Sequence, residues 1–163
     1  MRGIFLSLVA VLIHEMGHIV FAKLMGVPLV SFSVNPIGAS MMFDFTGVSY
    51  GREAAVHLGG SAAGMLAALL AVLVLGDGGH LFCGISTVLS AINLLPIAGF
   101  DGGGVLFCIL SAILLPDTAE RISRAVSLVF LLLLWAAVLW IELRVGANLS
   151  LLAFVLFFIL KVE

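Results

Sequence analysis

Long apolar runs constrain this chain more than any other feature of its sequence. They cover residues 3–24, 54–75, 80–95, 105–115, 125–141 and 145–160. A helix of about 20 apolar residues crosses the hydrocarbon core of a bilayer. With 63% hydrophobic and 10% charged residues, the chain has too little polar surface to enclose these runs as a soluble domain. The sequence therefore predicts an integral, multi-pass membrane protein.

The order of the runs predicts an all-α polytopic fold with about five transmembrane helices in one domain, residues 1–163. The run at 105–115 is short and is expected to form a half-helix. The segment Gly99–Gly104 before it is too rich in glycine for a helix interior. Residues 116–124 are polar and are expected to be exposed, and two C-terminal helices are expected at about 125–160.

The polar stretch at residues 26–53 predicts a different kind of structure. Val30–Asn35 alternates apolar and polar residues, as a half-buried strand does. Pro36 and Gly38 are turn signals, and Met41–Thr46 is the expected second strand. Strands at membrane depth are tolerated only where their backbone is paired or buried in protein. We therefore expect a membrane-associated β-hairpin here.

Several small residues in the apolar runs indicate helix packing rather than a catalytic or metal-binding role. Gly60 and Gly64 form a GxxxG pattern, which lets another helix approach closely. Cys83 and Cys108 lack metal-ligand spacing and are expected to be small buried residues. Basic residues form no stripe of the kind that binds nucleic acid, so no nucleic-acid partner is expected.

The first run carries the cluster of side chains that predicts chemistry, His14-Glu15-Met16-Gly17-His18. Two histidines four residues apart lie on one face of a helix and can bind one metal ion. Glu15 lies beside the first histidine, where it can reach water at the metal; this is the H-E-x-x-H arrangement of zinc hydrolases. Alternatively, the histidines hydrogen-bond to neighbouring helices. That alternative leaves Glu15 in a membrane span without a counter-charge, which is costly.

Basic residues predict how the chain lies in the membrane. If the end of the first run faces the cytoplasm, five basic residues lie inside and two outside. The inside set is Lys23, Arg52, Arg121, Arg124 and Lys161, and the outside set is Arg2 and Arg144. This distribution obeys the positive-inside rule. It places residues 14–18 nearer the cytoplasmic end of their helix.

Two histidines leave a catalytic zinc one protein ligand short, and Asp101 is the best candidate for the third. It lies in a more apolar setting than the other aspartates, after Asn93 and Pro96 and before Gly102–Gly104. The proline breaks the helix and the glycines let the chain bend towards a metal. An aspartate before glycines is often only a turn residue, and that alternative remains open.

These two motifs resemble those of the site-2 protease family of intramembrane zinc metalloproteases, peptidase family M50. The family's patterns are H-E-x-x-H on one membrane helix and N-x-x-P-x-x-x-x-D-G on a later one. The second pattern occurs here as Asn93, Pro96, Asp101 and Gly102 at the required spacing. The resemblance covers about residues 3–115, the expected catalytic core.

The resemblance implies the roles of individual residues. One Zn²⁺ per chain would be held by His14, His18 and Asp101, with Glu15 as the catalytic base. Asn93 is a candidate for a further hydrogen bond to substrate or oxyanion, or alternatively a helix-packing residue. The hairpin would help to present substrate. The residues expected to bind it are Val30, Phe32, Val34, Asn93 and Pro96.

The family resemblance also implies what the protein acts on. The expected substrate is a membrane-tethered protein cleaved in or near its transmembrane segment, such as a transcription factor precursor. Membrane-protein regulators are further expected partners, and a bacterial cell membrane is the expected location. The compact form is most similar to the sporulation-type branch, which cleaves a pro-sigma factor. Many relatives have an additional membrane helix before the first motif, and only 13 residues precede His14 here.

Three other functions are compatible with parts of this sequence. A catalytically inactive relative could bind membrane helices as a scaffold, although such a protein has no need of Glu15. A metal transporter would use the same ligands, but it needs a succession of polar sites across the membrane. A serine protease is disfavoured because Ser61 lacks the glycine of a G-x-S-x-G elbow.

Overall fold

The computed structural model describes residues 1–35 and 38–145. Its elements are α1 (Arg2–Met25), β1 (Leu29–Asn35), β2 (Gly38–Phe43), α2 (Tyr50–Leu75), α3 (His80–Asn93), α4 (Asp101–Ser111) and α5 (Pro116–Val145), with a 3-10 turn at Gly76–Gly79. Two compact units divide the chain, Met1–Leu94 and Leu95–Glu163. A mostly helical chain with one small hairpin was predicted, and this is confirmed. The prediction of a single domain stays a prediction.

Three helical stretches of the described residues are long and apolar enough to cross a membrane. They are Arg2–Met25, Tyr50–Asn93 and Pro116–Arg144. The second stretch consists of α2, the 3-10 turn and α3. The fifth predicted span, at 145–160, lies outside the described residues except for Val145. The count of five transmembrane helices therefore stays a prediction.

A glycine, Gly26, ends helix α1. Gly26 adopts a left-handed conformation with φ of 70°, and its N–H bonds to the carbonyls of the last turn. Glycine takes this conformation without a steric penalty. Lys23 lies in the last turn, where a positive charge interacts favourably with the helix dipole.

Helix α3 is shorter than the predicted run because a proline follows it. It ends at Asn93, and its 14 residues extend about 21 Å at 1.5 Å per residue. That is less than the roughly 30 Å of a bilayer core. A steric clash with the proline ring disfavours helical conformation in the residue before it, here Leu95, so the helix ends before this position.

The start of α4 differs from the prediction. Gly99–Gly104 was expected to lie outside a helix, but α4 begins at Asp101. Its glycines occupy the first turn rather than the helix interior. There the N–H groups of Gly103 and Gly104 bond to the carbonyl of Phe100. A carboxylate at Asp101 also suits the positive end of the helix dipole.

Helix α5 begins earlier than the membrane span predicted from about residue 125. Residues 116–124 were expected to be polar and exposed, and they form the first turns of α5, which begins at Pro116. Proline suits the first helical position because its fixed φ is helical and its missing N–H is not needed there. Arg124 pairs with Glu120 across one helical turn at 2.6 Å, so the polar residues form an exposed face of α5.

The hairpin was predicted, with its second strand placed too far along the chain. β1 and β2 are antiparallel, with Phe32 opposite Met41. β2 ends at Phe43 rather than Thr46 because a turn begins there. The Asp44 carboxylate accepts the Thr46 N–H at 2.9 Å, and such local bonds compete with strand pairing.

An apolar cluster attaches the hairpin to the helices of its unit. Ala22 of α1, Val27 and Val56 of α2 form its buried part. Phe43 and Phe45, at the end of the hairpin, pack against these residues. The hairpin base is therefore fixed one turn beyond His18 on α1.

The distribution of buried side chains suits a lipid environment. The interior contains alanines and serines, including Ser61, Ser86, Ser90 and Ser127. Large apolar side chains such as Leu12, Leu73 and Leu133 are exposed along the helices. Small and polar residues are typical of helix contacts inside membranes, where apolar bulk faces lipid.

Candidate metal centre

The two histidines of the first motif converge inside their unit. His14 and His18 lie one turn apart on α1, and both side chains are buried. Their Nε2 atoms are 3.3 Å apart, and their rings are inclined at 79°. The helical spacing predicted that both rings share a face, and the structure confirms this.

A hydrogen bond that the His18 ring donates to α2 fixes which ring nitrogen carries the proton. Nδ1 of His18 lies 2.8 Å from the carbonyl oxygen of Val56. Because a carbonyl only accepts hydrogen bonds, Nδ1 carries the proton and donates it. The neutral ring then has its lone pair on Nε2, the nitrogen that faces His14. Metal-binding histidines almost always make such a bond with their other nitrogen.

The distance between the two Nε2 atoms tests whether zinc fits. Two nitrogens bound to one tetrahedral zinc at about 2.0–2.1 Å lie about 3.3–3.4 Å apart. The 3.3 Å separation in this structure matches that value. The donor set also fits, since imidazole suits zinc better than it suits calcium or magnesium. The two histidines could therefore hold a zinc ion without rearrangement.

Close contact between α1 and α2 holds the histidines against Val56. A Cβ atom on Gly17 would lie 2.3 Å from the Gly59 carbonyl oxygen and 2.6 Å from the Ala63 Cβ. Gly17 is a variable position of the H-E-x-x-H motif, and here glycine is required by the contact. The motif therefore contributes helix packing as well as ligands.

Glu15 and Asn93 lie on the helices where they were predicted. Glu15 is half-buried on α1, next to His14. Asn93 is the last residue of α3, and its Nδ2 donates to the Leu89 carbonyl at 3.0 Å. This bond lies within α3, so it does not test the helix-packing role that the sequence left open for Asn93. A role for either residue in catalysis stays a prediction.

Asp101 lies in the second unit, at the first position of α4, and its side chain is buried. The preceding turn is tightly held. Gly99 has φ of 90°, which favours glycine, and Phe100 N–H bonds to the Ile97 carbonyl at 3.0 Å. A Cβ on Gly103 would lie 2.1 Å from that same carbonyl oxygen. The backbone at Asp101 is thus well defined, while its role as third ligand stays a prediction.

Ser127 of α5 also holds this turn and was missed by the sequence analysis. Its buried hydroxyl accepts a hydrogen bond from the Ala98 N–H and contacts the Pro96 carbonyl oxygen at 3.5 Å. The available signal was a single serine in an otherwise apolar run. The structure places Pro96 in this turn, and its predicted contact with substrate stays a prediction.

The predicted substrate-binding residues of the hairpin lie on β1. Val30 and Phe32 expose 60% and 55% of their surface. Val34 also lies in β1, and its side chain is outside the described part of the structure. The sheet has two strands, so the outer edge of β1 has no strand beside it among the described residues.

Comparisons with known proteins agree with this architecture. The sequence profile of peptidase family M50 matches residues 79–134, a stretch that contains Asn93, Pro96 and Asp101. The fold matches the site-2 protease from Methanocaldococcus jannaschii with a TM-score of 0.73. This chain has the fold of a site-2 protease. The match covers 98% of this chain and 74% of the other, at 23% identity. No curated protein matches the sequence.

The site-2 protease fold and the M50 match together support the resemblance first suggested by the two motifs. They support a metalloprotease embedded in a membrane. The sporulation-type branch stays a prediction.

Proposed function

We propose that this protein is an intramembrane zinc metalloendopeptidase that cleaves membrane-tethered proteins in or near a transmembrane segment. One observation carries the proposal. The Nε2 atoms of His14 and His18 are buried and 3.3 Å apart, and Val56 holds the His18 proton on the opposite nitrogen. This arrangement directs the lone pair of His18 Nε2 towards His14 Nε2, at the separation of two nitrogens bound to a tetrahedral zinc.

We propose Asp101 as the third protein ligand. The support is its place in the N-x-x-P-x-x-x-x-D-G pattern, its burial and the rigid turn before it. A carboxylate oxygen is a common zinc ligand alongside histidine nitrogens. Bound zinc supplies Lewis-acid chemistry, since it lowers the pKa of water and stabilises negative charge on a carbonyl oxygen.

Glu15 is the proposed general base. It takes a proton from the attacking water, whose oxygen bonds to the peptide carbonyl carbon. As the carbon–nitrogen bond breaks, Glu15 returns that proton to the leaving amine. Asn93 is proposed to donate a hydrogen bond to the substrate near the reacting carbonyl. Its amide nitrogen has a second N–H beyond the one bonded to Leu89.

A transmembrane substrate must unwind before its peptide bonds can react, because helical carbonyls are bonded internally. We propose that the outer edge of β1 binds the unwound segment by strand pairing, with Val30 and Phe32 contacting its side chains. Val34 and Pro96 are proposed as further contacts. A site towards the cytoplasmic side of a bacterial membrane, as the basic residues predict, shortens the path for water.

Zinc content and cleavage together test the proposal. Detergent-purified protein is expected to hold about one zinc per chain, and a His14→Ala, His18→Ala variant is expected to lose it. His80→Ala is the matched control, because His80 is exposed and contacts Asp77 at 3.5 Å. Glu15→Gln is expected to keep zinc and to stop cleavage of a membrane-tethered substrate in proteoliposomes.

Other outcomes separate the alternatives. Absence of zinc from the folded wild-type protein would contradict the metalloprotease. Zinc binding without cleavage of tethered substrates would favour an inactive scaffold, and zinc flux across proteoliposomes would favour a transporter. Full cleavage by Glu15→Gln would exclude Glu15 as the base.

A further inference from the structure

Gly60 of α2 lies directly against the two metal-binding nitrogens. A Cβ atom built on Gly60 would lie 2.3 Å from His18 Nε2 and 2.8 Å from His14 Nε2. The next nearest atom, His18 Cδ2 at 2.8 Å, belongs to the same ring. These distances are well inside van der Waals contact, so even one methyl group would displace both imidazoles.

We propose that Gly60 is a positioning residue of the metal site, whose missing side chain preserves the space and the ring geometry that zinc needs. This inference rests on the metal site proposed above. Zinc requires the two nitrogens about 3.3–3.4 Å apart with their lone pairs converging. A methyl group at position 60 pushes the nitrogens away from that geometry, and a larger side chain does so further.

Neighbouring glycines of α2 have different functions. A Cβ on Gly64, one turn later, would lie 2.5 Å from the Ser90 hydroxyl of α3, away from the histidines. A Cβ on Gly59 would meet the Gly17 carbonyl oxygen and Phe21 of α1 at 2.8 Å. Substitution at Gly59 or Gly64 therefore disturbs helix packing, whereas substitution at Gly60 acts on the imidazole rings.

The first experiment measures zinc affinity of the full chain in detergent by competition with a chelator. Gly60→Ala is expected to bind zinc at least about 10–100-fold more weakly than wild type, the range for residues that orient metal ligands. Gly64→Ala is the control and is expected to remain close to wild type. Equal affinities for Gly60→Ala and Gly64→Ala would overturn the proposal.

A second experiment uses metal-free protein, so that it does not depend on the proposed function. Unfolding by denaturant is measured for Gly60→Ala in the wild-type chain and in a His14→Ala, His18→Ala chain. Removal of the rings removes the clash, so the loss of stability on adding the methyl group is expected to shrink or disappear. If Gly60→Ala does not fold when the histidines are present but folds when both are alanine, that result also supports the clash with the rings.

Equal losses in both backgrounds, or failure to fold in both, would show that the methyl group meets something other than the rings. The wild-type protein could bind no zinc while Gly60→Ala costs less stability in the chain without the two histidines. That combination would contradict the proposed function but would still support the contact between Gly60 and the rings.

Discussion

The hydrogen bond between His18 and the Val56 carbonyl decides what the histidine pair can do. A neutral histidine has one donor nitrogen and one acceptor nitrogen, and the partner of one nitrogen sets the role of the other. With Nδ1 as the donor at 2.8 Å, Nε2 has its lone pair directed away from Val56. The bond also holds the ring orientation, so a metal ion needs less reorganisation on binding.

The first prediction concerns Asp101 as a metal ligand. Asp101→Asn removes the negative charge but keeps the size of the side chain, so zinc affinity is expected to fall by at least about tenfold. Asp117→Asn is the matched control, because Asp117 also lies in the first turn of a helix but is exposed. Chelator competition in detergent measures both. Unchanged affinity for Asp101→Asn would exclude it as a ligand.

At the scale of the elements, glycines and serines replace the large apolar residues that hold soluble helices together. Gly17 lets α1 and α2 approach until backbone meets backbone. Ser127 attaches the turn before α4 to α5 through its hydroxyl. In a bilayer, apolar bulk gains little from helix contact, so close packing and hydrogen bonds determine which helices associate.

The second prediction tests the contact between α1 and α2. Gly17→Ala places a methyl group against the Gly59 carbonyl oxygen, which cannot move without its helix. We expect a loss of about 1–3 kcal/mol in the free energy of unfolding, as for overpacked cores. Denaturant unfolding in detergent micelles measures it. Gly3→Ala, on the same helix with no neighbour within 4 Å, is the control. Equal stability of the two variants would contradict the close contact.

The third prediction concerns the turn before Asp101. Ser127→Ala removes the hydroxyl that accepts the Ala98 N–H, and a typical intramolecular hydrogen bond contributes about 0.5–1.5 kcal/mol to stability. Unfolding measurements are expected to show this loss, and hydrogen exchange of the Ala98 amide is expected to accelerate. Ser123→Ala, one turn earlier on α5, is the control. Slow exchange at Ala98 in the Ser127 variant would show that the hydroxyl does not hold the turn.

For the whole molecule, burial and composition agree on a membrane environment. Exposed leucines, isoleucines and phenylalanines extend along α1, α2 and α5, for example Ile4, Phe5, Leu70 and Leu132. Exposing such large apolar surfaces to water is unfavourable, whereas their contact with lipid chains is not.

The fourth prediction concerns orientation in the membrane. The positive-inside rule places the hairpin end of α2 in the cytoplasm and the turn at Gly76–Gly79 outside. In a chain with Cys83→Ser and Cys108→Ser, Asp77→Cys is expected to react with an impermeant maleimide in intact cells. Ser49→Cys, the matched variant at the other end of α2, is expected to react only after permeabilisation. The reverse labelling pattern would invert the proposed topology.

Local properties of the chain were predictable from its sequence. Apolar runs predict membrane helices, alternation predicts β1, and the spacing of His14 and His18 puts both rings on one helix face. Errors arose where local signals compete. Glycines after Asp101 suggested a segment outside a helix interior, although a first helical turn tolerates them. The start of the apolar run suggested a span from about 125, although α5 begins at Pro116 and its polar residues form an exposed face.

The sequence by itself determined which residue types are available to hold a metal, and at what spacing, because helical periodicity alone sets those relations. Only the tertiary structure decided which His18 nitrogen has the lone pair, because Val56 lies 38 residues away. It also decided that Gly60 faces the rings and that Ser127 holds the turn before Asp101. Such contacts join residues far apart in the chain, and no local pattern encodes which carbonyl, glycine or hydroxyl will meet them.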